Sequence, residues 1–206
     1  MIASMTMKKH KLLLASKNAG KLRELQSLLA HVPLEIELMP EDAPDIEESG
    51  ATFLANAEIK ARALWRPGMY TLADDSGLCV DALNGAPGVH SARFSGEPKN
   101  DESNIQLLLE KMKNIPDEKR QAHFSCVLVL KLPAGNEFSC EGRVDGLISR
   151  EKRGAQGFGY DPVFCLPKLG KTMAELNLST KNALSHRGMA FEQLCNVLLA
   201  LMKENA

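Results

Sequence analysis

An excess of charge is the first thing this chain lacks: its 206 residues carry 25 lysines and arginines against 26 aspartates and glutamates, a formal net charge of -1. Without a broad basic field it has no means of gripping a nucleic-acid backbone nonspecifically, so a polyanionic ligand must be met by a few focused cations. Long apolar runs are missing as well. Met1 to His10 has no apolar signal core, and no later run approaches the length needed to cross a bilayer, so the sequence predicts a cytoplasmic protein without membrane contact. The five cysteines, at 79, 126, 140, 165 and 195, are odd in number and show no close metal-type pairing. They read as reduced, mostly buried thiols. Internal repeats, low-complexity tracts and linkers are also absent, so residues 1–206 read as a single α/β domain, with residues 1–10 as a flexible N-terminal extension.

What is present is a regular alternation of elements. Lys11–Ala15 is a short apolar strand, followed by a tight loop and a helix in which Leu22, Leu25, Leu28 and Leu29 recur at helical spacing. Leu34–Met39 alternates as a second strand, and Pro40–Gly50 is an acidic, proline-containing loop. Thr52 caps a helix from Phe53 to Trp65, which Pro67-Gly68 ends. Tyr70–Ala73 reads as a short strand delivering Asp74-Asp75-Ser76-Gly77 at its end, and Asn84–Gly96 as too broken for regular structure. A helix is expected from about Asp101 to Met112. Ala122–Leu132, apolar on both faces, predicts a central strand, paired antiparallel with Glu137–Ile148 through a turn at Pro133 and Gly135. Gly154–Asp161 reads as a loop, and one last helix as running from Ser179-Thr180 to about Lys203.

Several local groupings could carry chemistry. Ser16-Lys17-Asn18-Ala19-Gly20-Lys21 joins a strand to a helix, where backbone N–H groups, the positive helix end and Lys21 could surround a phosphate; the same residues also suit an ordinary Asn-capped helix. It is not a Walker A loop, because the two spaced glycines before Lys-Ser/Thr are missing. Glu47, Glu48, Asp74 and Asp75 offer oxygen ligands for Mg²⁺, which needs only one or two carboxylates when substrate phosphates complete its shell; Asp-Asp-Ser-Gly is equally good turn chemistry. Adjacent aspartates point in different directions, so one can bind metal while the other orients or deprotonates water. Lys60, alone, reads as a solvated or snorkelling lysine; Lys181 and Ser185 share a helix face, with His186 and Arg187 around the helix from them, a cluster that alone reads as solvated helix surface. Phe158-Gly159-Tyr160-Asp161 could stack on a purine and read its edge, or form a buried turn. His90, Arg93 and Phe94 could form a second wall, without a partner visible in the sequence.

Taken in order, Ser16–Lys21, Glu47–Gly50, Asn56–Ala61, Ala73–Leu78, Gly85–Arg93, Gly157–Pro162 and Ser185–Gly188 resemble the inosine triphosphate pyrophosphatases, the Ham1-like non-canonical purine NTP pyrophosphatases. The resemblance implies an elongated mixed central sheet flanked by helices, two lobes with a nucleotide cleft between them, and a homodimer. It implies Mg²⁺-dependent hydrolysis of ITP, dITP and XTP to the monophosphate and pyrophosphate, by water attacking the α-phosphorus. Catalytic roles then fall to Asp75, Lys21 and Lys60. Substrate contacts fall to Ser16, Lys17, Asn18, Ala19, Gly20, Lys21 and Ser76 on the phosphate side. Phe158, Gly159, Tyr160, Asp161, Lys181, His186 and Arg187 fall to the nucleoside, and Asp74, Asp75, Glu47 and Glu48 to the metal. Lys17 stands where family members commonly carry glycine. Two other readings compete: a house-cleaning pyrophosphatase for pyrimidine or other modified triphosphates, and a non-catalytic nucleotide- or RNA-binding module. The lack of a basic stripe counts against RNA.

Overall fold

The computed structural model describes residues 10–40, 42–43 and 45–204. Of the extension expected over residues 1–10, residues 1–9 lie outside the described part, and His10 already opens the first strand. That strand, β1 (His10–Leu14), lies between β2 (Leu34–Leu38) and β3 (Tyr70–Val80), parallel to both. Beyond β3 the sheet turns antiparallel, through β4 (Gln121–Lys131), β5 (Glu137–Ile148), β6 (Phe164–Leu166) and β7 (Lys171–Thr172). The seven strands are ordered β2-β1-β3-β4-β5-β6-β7.

Helices cover the faces according to the size of the residues they meet. On one face α2 (Phe53–Leu64) comes close, because Ala57 and Ala61 sit against Ala15, Ala73, Val127 and Val129. The opposite face takes α1 (Ala19–Leu28) and α5 (His186–Glu204), which bury Leu25, Phe191, Leu194 and Leu198 against Leu12, Leu14, Leu72 and Leu128. A second apolar cluster gathers at the far end of β3–β5, where α3 (Asp101–Lys111) brings Ile105 and Leu108 to Leu78, Val80, Phe124 and Phe164. Between these clusters the long strands carry buried polar residues: Asp74 and Asp75 on β3 and Ser125 on β4. This polar belt separates the apolar clusters.

Three expectations are corrected. Asp74-Asp75-Ser76-Gly77 is not a strand-end turn: β3 continues through it, paired with Leu128, Val127, Cys126 and Ser125, because the β4 ladder outweighs the local turn preference of those residues. The segment after β3 is not irregular throughout: Gly88–Arg93 forms a 3₁₀ helix, held by Ser91 Oγ, which donates to the Gly88 carbonyl and accepts from the Leu78 N–H. The last helix is two, α4 (Leu178–Leu184) and α5, with Asn177 as the cap of α4. Ser185 between them is extended, at φ -83 and ψ 157, and its Oγ accepts from Gly188 N–H, so the chain turns and restarts there. Lys181 and Ser185 therefore do not share a helix face.

Candidate active site

The site begins where β1 stops. The last bond from β1 to β3 runs from Ala15 N–H to the Leu72 carbonyl; beyond it the β3 edge has no strand neighbour at Asp74 and Ser76, until Leu78 N–H meets Ser91 Oγ and Val80 N–H the Ala86 carbonyl. The next carbonyl pointing to that edge is that of Asp74, which accepts from Lys21 Nζ at 3.2 Å and from Lys60 Nζ at 2.8 Å. The crevice outside the carboxyl ends of parallel strands thus holds two ammonium groups at one oxygen. Because successive strand residues point to opposite faces, Asp74 turns towards α1 and α5 and Asp75 towards α2.

On the α2 side, Lys60 Nζ meets Asp75 Oδ1 at 2.8 Å and Glu48 Oε1 at 3.0 Å. Lys60 is 7% exposed, so it is no snorkelling surface lysine. Burial disfavours its ammonium, but Asp75 and Glu48 outweigh that and raise its pKa. Burial also pushes the Asp75 carboxyl above its ordinary value, against the pull of Lys60. For Glu48 burial acts in the same direction, but Lys60 prevails and lowers it. Of the two loop glutamates, Glu48 is the one turned to this cluster; Glu47 is exposed.

On the other side lies an alternating chain of six charges, five of them buried and the first, Lys21, half-buried. Lys21 meets Asp74 Oδ1; Asp74 Oδ2 accepts from Arg187 Nε at 2.8 Å; Arg187 Nη1 reaches Glu24 Oε2 at 2.5 Å. Glu24 Oε1 meets Lys181 at 2.8 Å, and Lys181 meets Asp161. Three acids and three cations balance. Ser76 Oγ donates to Asp74 and accepts from Arg187, and the Cys126 thiol donates to Asp74, so both Asp74 oxygens are engaged within the protein. Burial opposes ionisation of Asp74, yet Arg187 and Lys21 hold it well below the usual carboxylate range. Arg187, which sequence spacing places on a solvated helix face, is 2% exposed.

The chain of charges ends at the 157–162 loop, where Asp161 Oδ2 also accepts from Phe158 N–H at 2.9 Å. The Phe158 ring lies against Gly20, where an added Cβ would stand 2.7 Å from Phe158 Cδ1. It has Lys181 Nζ 4.9 Å and the Arg187 guanidinium 5.6 Å from its centroid. Gly159 N–H donates to Asp101 at the start of α3. Tyr160 is buried, its hydroxyl donating to the Ser91 carbonyl. At the loop between β1 and α1, Asn18 Oδ1 accepts from Gly20 and Lys21 N–H, and Ser16 Oγ from Asn18 N–H. Lys17 points away, to the Ala43 carbonyl and Asp45. Of the residues expected as a second wall, His90 is exposed and Phe94 packs on the far cluster.

His186 is buried and stacked on Phe124, ring centroids 4.7 Å apart; burial, reinforced by Arg187, keeps the imidazole neutral, with its pKa well below the usual value. Its position depends on Gly142 of β5, where an added Cβ would stand 2.0 Å from the His186 carbonyl oxygen. Gly142→Ala should push the start of α5 off the sheet, costing about 1–3 kcal/mol, and lower turnover with it. Thermal unfolding and kcat measured on the same preparation check this.

Among the described residues no group of three or more His, Cys, Asp or Glu side chains comes together that could hold a metal ion. The donor set nevertheless suits a hard divalent cation: Glu48 and Asp75 converge on Lys60, and such an ion needs only one or two carboxylates if phosphate oxygens and water supply the rest. Glu48, Asp75 and Lys60 carry one negative charge in excess, which a cation would offset.

The Ham1 family model matches residues 12–197, from β1 well into α5. The chain belongs to the Ham1 family. Among its relatives, a dITP/XTP pyrophosphatase of Leuconostoc mesenteroides is 44% identical over 199 residues, 94% of this chain and 98% of the relative. One of Shigella flexneri with the same name is 50% identical over 192 residues, covering 91% and 98%. A HAM1 protein from Coxiella burnetii, of known structure, is 47% identical with a TM-score of 0.81, covering 93% of this chain and 99% of its own. The Ham1 sheet with its flanking helices is therefore the fold of this chain.

Sequence reading missed two members of this Ham1 site. Glu24 looks like a helix-surface acid, yet it sits three residues after Lys21 on the face that meets α5, and it is 3% exposed. Asn56 precedes Lys60 by one helical turn, a spacing that places both on one face, and it donates to Asp75 Oδ2 at 3.3 Å.

Proposed function

We propose that this protein hydrolyses non-canonical purine nucleoside triphosphates, ITP, dITP and XTP, to the monophosphate and pyrophosphate. It thereby removes deaminated purines from the nucleotide pool. The observation that carries the reading is the convergence of Lys21 and Lys60 at one open strand edge, beside a buried carboxylate that burial has made more basic. The kinship to proteins named dITP/XTP pyrophosphatase supports the substrate class.

Asp75 orients a water for in-line attack on the α-phosphorus and takes its proton. The new bond joins the water oxygen to phosphorus, and the α-β anhydride bond breaks, so pyrophosphate leaves. Lys21 and Lys60 offset the charge that grows on it. Incoming phosphate competes with Asp74 for Lys21, while Asp74 stays paired with Arg187. Ser16, Asn18 and the start of α1 border the phosphates. Glu48 and Asp75 would hold a divalent cation, Mg²⁺ in this reading, which when bound neutralises polyphosphate charge and polarises its oxygens.

At the other end, the base stacks on Phe158. Lys181 has three N–H donors and gives two directions to Glu24 and Asp161, leaving one for a 6-oxo group. A 6-amino group would oppose donor to donor and leave that N–H unpaired, which disfavours adenine. We read the active species as a homodimer acting in the cytoplasm, without nucleic-acid partners. In the described residues no helix is long and apolar enough to cross a membrane.

The test is release of pyrophosphate and monophosphate from ITP, dITP, XTP, GTP, ATP and dUTP, with Mg²⁺ and with chelator. Metal-dependent cleavage of the first three, with GTP and ATP nearly untouched, is expected. A preference for dUTP or GTP would overturn the base site, and no release at all would overturn the enzyme.

A further inference from the structure

Asp75 can act as a base only if its carboxylate presents a lone pair in a fixed direction, and the last torsion of an aspartate is broad. Lys60 fixes one oxygen. The other, Oδ2, accepts from Asn56 Nδ2 at 3.3 Å, and Asn56 is itself 1% exposed. We infer that Asn56 is a positioning residue for Asp75, a neutral donor that sets the plane of the carboxylate and ties it to the acidic loop.

The amide's orientation is settled by its other partner. Gly50 N–H donates to Asn56 Oδ1 at 2.8 Å, which requires an oxygen there and turns the NH₂ to Asp75. The loop can approach this closely only through a glycine, since an added Cβ at Gly50 would stand 2.7 Å from Asn56 Oδ1. That loop carries Glu48, and Glu48 returns to Lys60. A closed ring results: Asp75, Asn56, Gly50, Glu48, Lys60 and Asp75 again. An amide suits the Asn56 place, because the side chain accepts on one side and donates on the other without carrying charge. A carboxylate at this place would set like charge against Asp75. A cation would add to the pull of Lys60 and weaken the base.

The inference rests on Asp75 being the group that takes the water's proton, and the experiment separates the two. Asn56→Asp keeps the shape and the acceptor for Gly50 N–H but removes the donor to Asp75. Its kcat on ITP should fall about 10- to 100-fold, the scale of one lost hydrogen bond to a charged group, with KM nearly unchanged. Introduced into Asp75→Asn, it should lower the residual rate no further, because the carboxylate it positions is already gone. Asn56→Ser, too short to reach Asp75, should show the same kcat loss if the aspartate variant folds poorly. Wild-type kcat in a folded Asn56 variant would overturn the inference, as would a rise in KM alone or an equal rate loss in both backgrounds. A fully active Asp75→Asn would sink the reading of Asp75 and this inference together. An inactive Asp75→Asn beside a fully active Asn56→Asp would sink this inference alone.

Discussion

Asp75→Asn should lower turnover of ITP by about 10²- to 10⁴-fold, the range ascribed to a positioned general base, while the protein stays folded and still binds nucleotide. The substitution keeps the size of the side chain and an oxygen for Lys60 to meet, so the contact at 2.8 Å need not be lost. What goes is the ability to hold a proton from water. It also removes a negative charge beside the incoming phosphates, so binding measured without metal should hold or tighten. Steady-state kinetics with calorimetric titration of ITP onto the variant measures both quantities. A variant with unaltered kcat removes Asp75 from the chemistry, and one that neither turns over nor binds has lost the site as a whole.

The largest effect on stability is expected at Arg187. Arg187→Met retains much of the side-chain length but leaves Asp74 and Glu24 buried, without the cation that bridges them. Breaking a buried pair by removing one partner costs about 3–5 kcal/mol, most of it from the charge left behind. Arg187→Lys should recover only part of that loss. An ammonium cannot reproduce the planar fork that reaches Asp74, Ser76 and Glu24 from three nitrogens. Urea unfolding of the two variants beside the wild type gives the comparison. If Arg187→Met unfolds at the wild-type midpoint, the six-charge chain does not support the fold.

Much of this was readable in the order of residues. The apolar run in Ala122–Leu132 and the Pro133–Gly135 turn identify the β4–β5 hairpin, because so short a turn fixes which residues of the two strands face each other. The strand, loop and helix at Leu12–Leu28 are equally legible, since Asn18 is a strong cap and the leucines keep helical spacing. Asp74–Gly77 was misread because local composition and the β4 ladder disagree there, and only the partner strand decides. The break at Ser185 was hidden for a similar reason. Ser185-His186-Arg187 fits a continuous helix, and nothing in it signals that the His186 carbonyl packs on Gly142, on a strand more than 40 residues earlier. Glu24 and Asn56 carry no local sign of burial, because the charges and N–H groups that need them are supplied by distant segments.

The three acids and three cations that run from Lys21 to Asp161 have one more consequence. Dissolved salt weakens attraction between charges that ions can approach, over a Debye length of about 10 Å at 0.1 M. The pair Arg62–Glu137 is open to such ions, its arginine side chain being 54% exposed. Arg187, Glu24, Asp74 and Lys181 are not, with side-chain exposures of 2–4%. The framework from α1 to the 157–162 loop carries its own counter-ions, and its geometry should hold at ionic strengths that strip the surface of its pairs.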